Sequence, residues 1–194
     1  MYFVFGRNAK PGRWIETPLG DIPGIRWSAW RKGARLDDVP PNPLLFTLKP
    51  MNPNASDHGP HLPSFLNAAI PLFSTTLLAE LRKCGVDNLD TYPVALTDPD
   101  SGSVLDHYRA VNVIGLVSAA DMAKSDAIVH PGGPALIDVA FDKLVVDEAK
   151  TGSAKLFRMA ESTKTILVHQ SVRDYLLASG FDDLAFYSPD NVAI

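Results

Sequence analysis

The chain has 194 residues, 46% hydrophobic and 21% charged, an ordinary globular composition long enough to bury one sizeable core. Its single cysteine, Cys84, excludes an internal disulfide, its few Cys and His residues exclude a zinc-finger framework, and no apolar run approaches the ~18 residues of a membrane helix. The net charge of −4 hides an asymmetry: residues 1–69 carry 8 Lys+Arg against 5 Asp+Glu, net +3, and residues 70–194 carry 10 against 17, net −7. An acidic C-terminal part repels nucleic acid and attracts a basic partner.

The opening MYFVFGRNAK lacks a basic region and a small-residue cleavage site, so it reads as a first strand over Phe3–Phe5 and not as a leader. Ten of the 16 prolines then lie at or before Pro63, which predicts short strands and irregular connections through the first third. LLFTL (Leu44–Leu48) is a strand. LPSFLNAAI, with Pro63 at its start and Ser64 able to cap it, predicts a short helix. PLF (Pro71–Phe73) is a strand that leads to Ser74 as an N-cap, with Leu77, Leu78, Leu81 and Cys84 at helical spacing and Gly85 as the stop. LDTYPV (Leu89–Val94) runs out as a strand, DPDSG (Asp98–Gly102) is a turn, and YRAVNVIGLV (Tyr108–Val117) predicts one long strand. SAADMAKSD predicts a short helical turn behind Ser118, HPGGP (His130–Pro134) a turn, ALIDVAFDKLVVD a strand or hairpin arm, and KLFRM (Lys155–Met159) a strand. TILV, a helix opened by His169 or Ser171, Gly180 and LAFY (Leu184–Tyr187) close the chain.

The last unit repeats an earlier one. PLFSTTLLAELRKCGVDNLDTYP aligns with ILVHQSVRDYLLASGFDDLAFYS, pairing Ser74 with His169, Leu81 with Leu176, Gly85 with Gly180, Asp87 with Asp182, Leu89 with Leu184 and Tyr92 with Tyr187. Both read as strand, capped helix, glycine stop, strand, over residues 71–93 and 166–188. The shared residues have structural duties as caps, stops and core positions. The expected architecture is a single α+β domain with a mixed or mostly antiparallel sheet, a few short helices and a Pro-rich irregular N-terminal third. In this division residues 1–61 pack on a main unit of residues 62–194.

Catalytic signatures are missing. There is no G-x-S-x-G elbow, no P-loop and no G-x-G-x-x-G turn. Asp57, His58 and His61 in DHGPH, and Asp106 with His107 in DHY, could form a small ligand or enzyme site only if the fold brings them together. Gly59 and Pro60 between the two histidines argue for a solvated loop instead of a metal site. Cys84 falls on the apolar face of its helix and reads as an inert buried thiol. IRWSAWRKGAR (Ile25–Arg35) combines Trp27 and Trp30 with four cations, which is the chemistry of a base-stacking, phosphate-gripping segment. The i,i+3 spacing of the two tryptophans instead favours one apolar face covering a sheet, and the acidic remainder argues against nucleic acid.

The order of these pieces resembles an immunity-protein family of bacterial polymorphic-toxin systems, long catalogued as a domain of unknown function. LPSFLNAAIPLFSTTLLAEL, GVDNLDTYPV, YRAVNVIGLVSAADMAKSD, FDKLVVDE, KLFRM and TILVHQSVRDYLLASGFDDLAFYSP carry the resemblance, over about residues 62–189. The YP strand end and the LFR segment are its more specific pieces. The chain departs from it at the second helix, where His169 stands in place of a serine. The resemblance implies no catalytic machinery and a protein that neutralises one cognate toxin by direct contact; the motif search leaves no cofactor or metal expected, and the single cysteine with no expected leader or membrane span points to the cytoplasm. Asp98, Asp100, Asp106, Asp182 and Asp183, in turns where a partner can approach, are the expected docking residues, with Trp27 and Trp30 as apolar anchors.

Overall fold

Apolar runs such as YFVF and ILV bury on both faces, and this chain pairs them in the middle of one mixed sheet. A computed structural model describes residues 1–8, 10–16, 26–130 and 138–191. In chain order its elements are β1 (Tyr2–Arg7), β2 (Leu44–Thr47), β3 (Phe65–Leu66), β4 (Leu72–Ser74), α1 (Thr75–Lys83), β5 (Leu89–Thr97), β6 (Val104–Leu105), β7 (Tyr108–Val113), β8 (Leu116–Val117), β9 (Asp126–His130), β10 (Asp138–Lys143), β11 (Leu156–Met159), β12 (Ile166–His169), α2 (Gln170–Ala178) and β13 (Leu184–Tyr187). Short 3-10 turns cover Trp27–Arg31, Glu148–Lys150 and Pro189–Asn191. One sheet runs β13–β1–β12–β11–β8; the second runs β2–β5–β7–β4–β3 with β6 beside β5; β9 and β10 form a separate hairpin. Most pairs are antiparallel, with β8 parallel to β11 and β2 parallel to β5. The fold is a single α+β domain.

Alternation along the strands sorts side chains into three apolar clusters. Phe3, Phe5, Phe73, Val111, Val113 and Val168 face a shared interior that also receives Leu77, Leu78 and Leu81 of α1 and Val172 and Leu176 of α2. Leu72, Tyr108 and Ala110 face the opposite side, under Trp30 and β2. Tyr2, Phe157 and Leu167 face a third cluster, covered by Val139 and Phe141 of the hairpin.

The aligned segments form matching halves. Each is a strand–helix–strand unit whose two strands are split by a third, antiparallel strand from elsewhere in the chain: β7 enters between β4 and β5, and β1 between β12 and β13. The registers correspond. Tyr108 stands opposite Ser74 as Tyr2 stands opposite His169; Ala110 faces Tyr92 as Val4 faces Tyr187; Val113 faces Leu89 as Arg7 faces Leu184. The flanking strands β3 and β11 also match, because Ser74 N–H donates to Ser64 O and His169 N–H donates to Lys155 O, both at 2.8 Å. The first third therefore supplies a central strand of the second half and is not a peripheral layer.

Both helices start and stop as their sequences require. Ser74 Oγ accepts from Leu77 N–H at 3.1 Å, and His169 Nδ1 accepts from Ser171 N–H at 3.2 Å, so the histidine itself takes the capping role. Gly85 (φ 79°) and Gly180 (φ 86°) end them in the left-handed region. A Cβ on Gly180 would meet nothing within 4 Å, so any cost of adding one is conformational. Gly180→Val is expected to lower the unfolding free energy by about 1–2 kcal/mol in urea titration, and an unchanged midpoint would show that the turn relaxes freely.

Three expected elements differ. LPSFLNAAI is not a helix: Phe65 belongs to the shared interior and Leu66 to the cluster under Trp30, opposite faces that a strand supplies. The stretch Tyr108–Val117 is two strands, because at Gly115 (φ 108°), whose N–H donates to Gly33 O at 2.7 Å, the chain leaves the second sheet for the edge of the first. In SAADMAKSD the expected turn is confined to residues 122–124, with Asp121 O accepting from Lys124 and Ser125 N–H, while Ser118 does not cap it and donates to Glu161 instead, ahead of a bridge at Ala120. Of HPGGP, residues 131–134 lie outside the described residues; the FDKL strand is the second arm of the β9–β10 hairpin.

Candidate functional site

Helix α1 begins where β4 ends, and its first amide, Thr75 N–H, donates to His107 O at 2.8 Å. That bond seats the β6–β7 turn, with exposed Asp106 and His107, beside the helix start. On the other flank lies the chain leaving α2. Thr76, Glu80, His61, Ser179, Asp182 and Asp183 line an open groove of about 480 Å³ between the two helices. The helices meet at equivalent positions of the repeat: Tyr175 OH donates to Glu80 Oε2 at 2.8 Å, across 95 residues. Lys83 holds the other Glu80 oxygen at 2.6 Å; its hydrogen bond, with that of Tyr175, keeps the Glu80 carboxyl below the usual range.

The two neighbouring aspartates have different jobs. Asp182 is exposed and pairs with Lys10 Nζ at 2.6 Å, which holds its carboxyl low. Asp183 is 5% exposed. It accepts from Ser64 N–H, and His61 Nε2 lies 3.6 Å from the same oxygen. Its repeat counterpart, Asn88, reaches across in the same way, donating to Leu156 O at 2.8 Å. Asp183 is thus a tie between the halves and lines the groove only as its floor; as a docking residue it is corrected to a structural one.

The DPDSG turn is also tied down. Arg13, 7% exposed, places Nη2 at 2.7 Å from Asp98 and 2.8 Å from Asp100. Asp98 further accepts from Ser101 Oγ at 2.8 Å, and this bond, followed by the Asp100 amide and Arg13, holds its carboxyl below the usual range. Asp100 accepts from Met51 N–H at 3.0 Å while staying 37% exposed. Asp98 therefore anchors a loop, and Asp100 keeps only part of its surface for a partner.

Trp30 is corrected too. It is fully buried, edge-on to Tyr92 with ring centroids 5.3 Å apart, so it is a core residue and not a docking anchor. The side chain of Trp27 lies outside the described residues. Asp57, His58, His61, Asp106 and His107 do not converge. Asp57 O accepts from Trp14 Nε1, His58 Nδ1 accepts from Asn52 N–H, His61 sits by Asp183, and Asp106 and His107 stand at the β6–β7 turn. Among the described residues no group of three or more His, Cys, Asp or Glu could hold a metal ion, and no helix is long and apolar enough to cross a membrane.

Glu80 and Arg13 are the residues that sequence reasoning missed. The repeat alignment places Glu80 against Tyr175, so a contact where equivalent positions meet was signalled. Nothing around Arg13 marks it as buried, since the nearest partner of its guanidinium, Lys49 O, is 36 positions away and the carboxylate of Asp98 is 85 away. Comparison with protein-family models and with curated proteins gives no match for this chain.

Proposed function

We propose that this protein is an immunity protein that binds a cognate bacterial toxin and blocks it by direct contact. The observation that carries the reading is the acidic groove between α1 and α2, where Glu80 and Asp182 stand over Asp183 and the Asp106 turn abuts the helix start. Its carboxylates belong to the part of the chain with net charge −7, and although Lys83 and Lys10 pair with Glu80 and Asp182, three acids and no Lys or Arg line the groove, which favours an oppositely charged partner. A toxin whose own cleft is basic, because it handles a nucleic acid or a phosphorylated cofactor, offers that complement. Docking there would occlude the toxin's substrate with no chemistry on this chain. The resemblance of residues 62–189 to immunity proteins points the same way.

The test is co-expression with candidate toxic domains taken from the genes neighbouring this one, followed by size-exclusion chromatography of the mixed proteins. Growth rescue with a stable stoichiometric complex is the expected result. Rescue without a complex, or turnover of a toxin product by the purified protein, would overturn the reading in favour of an enzyme.

A further inference from the structure

The molecule also holds a basic cavity, far in character from the acidic groove. Arg158 lies in the middle of β11, between Ile166 of β12 and Leu116 of β8, and is 3% exposed. By strand alternation it shares a face with Leu156, so its guanidinium lies between the two sheets. There Nη1 donates to Thr163 O at 2.5 Å, while Nε has no hydrogen-bond partner among the described residues. A buried guanidinium is ordinarily met by a carboxylate. The acid on the adjacent β11–β12 turn, Glu161, is used elsewhere: its Oε1 accepts from Ser118 Oγ at 2.7 Å and from Ala120 N–H at 3.2 Å. The charged neighbour that Arg158 does feel is Arg31, and burial together with this like charge pushes its pKa down to about 10.

The uncompensated charge borders an open space. A cavity of about 280 Å³ is walled by Arg158, Arg31, Lys164, Asn67 and the small side chains Ala68 and Ala69. Three cations and an amide thus surround a volume that the alanines leave unfilled. The guanidinium fork matches the paired oxygens of a phosphate, with the ammonium as a second point charge. Asn67, Lys164 and Ile166 also wall a neighbouring cavity of about 410 Å³ that reaches Trp14 and Tyr187, giving room for a flat body beyond the anionic head.

We infer that Arg158, Arg31 and Lys164 form an oxyanion site that takes the phosphate group of a small molecule. The site is independent of the toxin-binding reading and stands or falls apart from it. It also explains why a charged residue occupies the centre of a strand whose other positions are apolar: the anion completes a pairing that the chain leaves open.

The experiment is calorimetric titration with inorganic phosphate and with phenyl phosphate, alongside thermal unfolding in sodium phosphate and in sodium chloride at matched ionic strength. The wild type should bind both ligands and unfold at a higher temperature in phosphate. Tighter binding of phenyl phosphate would place the body of the ligand in the Trp14 cavity, whereas equal binding would confine the site to the oxyanion. Lys164→Ala removes an exposed side chain and should weaken both by about tenfold or more. Arg158→Met should abolish the phosphate-dependent rise without lowering the melting temperature in chloride, since it deletes a buried charge that no carboxylate pairs among the described residues. No phosphate binding by the wild type up to about 10 mM, or binding unchanged in Lys164→Ala, would overturn the site.

Discussion

Replacing Trp30 with alanine is expected to lower the unfolding free energy by about 3–5 kcal/mol, the range for a large aromatic removed from a packed core. Trp30 is the largest fully buried side chain among the described residues. It covers one face of the second sheet, packed in one cluster with Leu44, Leu72, Val94 and Tyr108 of the strands beneath it. Trp30→Phe should cost much less, because it keeps an aromatic beside Tyr92 and deletes an indole N–H that has no partner among the described residues. Urea unfolding followed by circular dichroism measures both. A loss under about 1 kcal/mol for the alanine variant, with toxin protection abolished, would place Trp30 in an interface and overturn its assignment to the core.

Local chemistry was readable along most of this chain, and long-range pairing was not. Strands with apolar runs, such as Phe3–Phe5, Leu156–Met159 and Leu184–Tyr187, lie where composition put them, and Ser74, Gly85 and Gly180 act as their residue types dictate. The repeat was also visible, because caps and glycine stops are local signals. That β1 slides between β12 and β13 while β7 takes the same place between β4 and β5 has no local signature; only the register of pairs such as Tyr2 with His169 reveals it. LPSFLNAAI failed for a related reason. Its apolar residues suit either a helical face or the two faces of a strand, and the choice was made by Leu72 and Phe73 opposite. At the site, adjacent aspartates looked alike in sequence. The fold turns Asp182 outward to Lys10 and Asp183 inward to Ser64, a distinction that depends on the partner segments and not on the FDDL motif. Arg13 reached Asp98 and Asp100 the same way, from a distant stretch whose flanks announce nothing.

Those placements decide which charges can steer a toxin. Asp98 and Asp183 are committed to the fold, so reversing them would test folding and not docking. Asp106 and Asp182 are exposed at the groove's two flanks, and Asp100 is partly so. A variant carrying Asp100→Asn, Asp106→Lys and Asp182→Lys leaves Arg13 with Asp98 and alters only reachable charge. At low ionic strength it is expected to associate with the toxin about tenfold or more slowly than the wild type, with dissociation changed far less, because steering acts on the encounter. At about 1 M salt the Debye length falls to roughly 3 Å and the two association rates should converge. Asp37→Lys with Asp38→Lys, two exposed acids of the N-terminal third, serves as the control and should leave the low-salt rate near that of the wild type. Surface plasmon resonance at the two salt concentrations gives both rate constants directly. If wild type and variant associate equally fast at low salt, the acidic groove is not the docking face, and the search moves to apolar surface such as the exposed Leu45 and Val104 on the side of β2 and β6 turned away from Trp30.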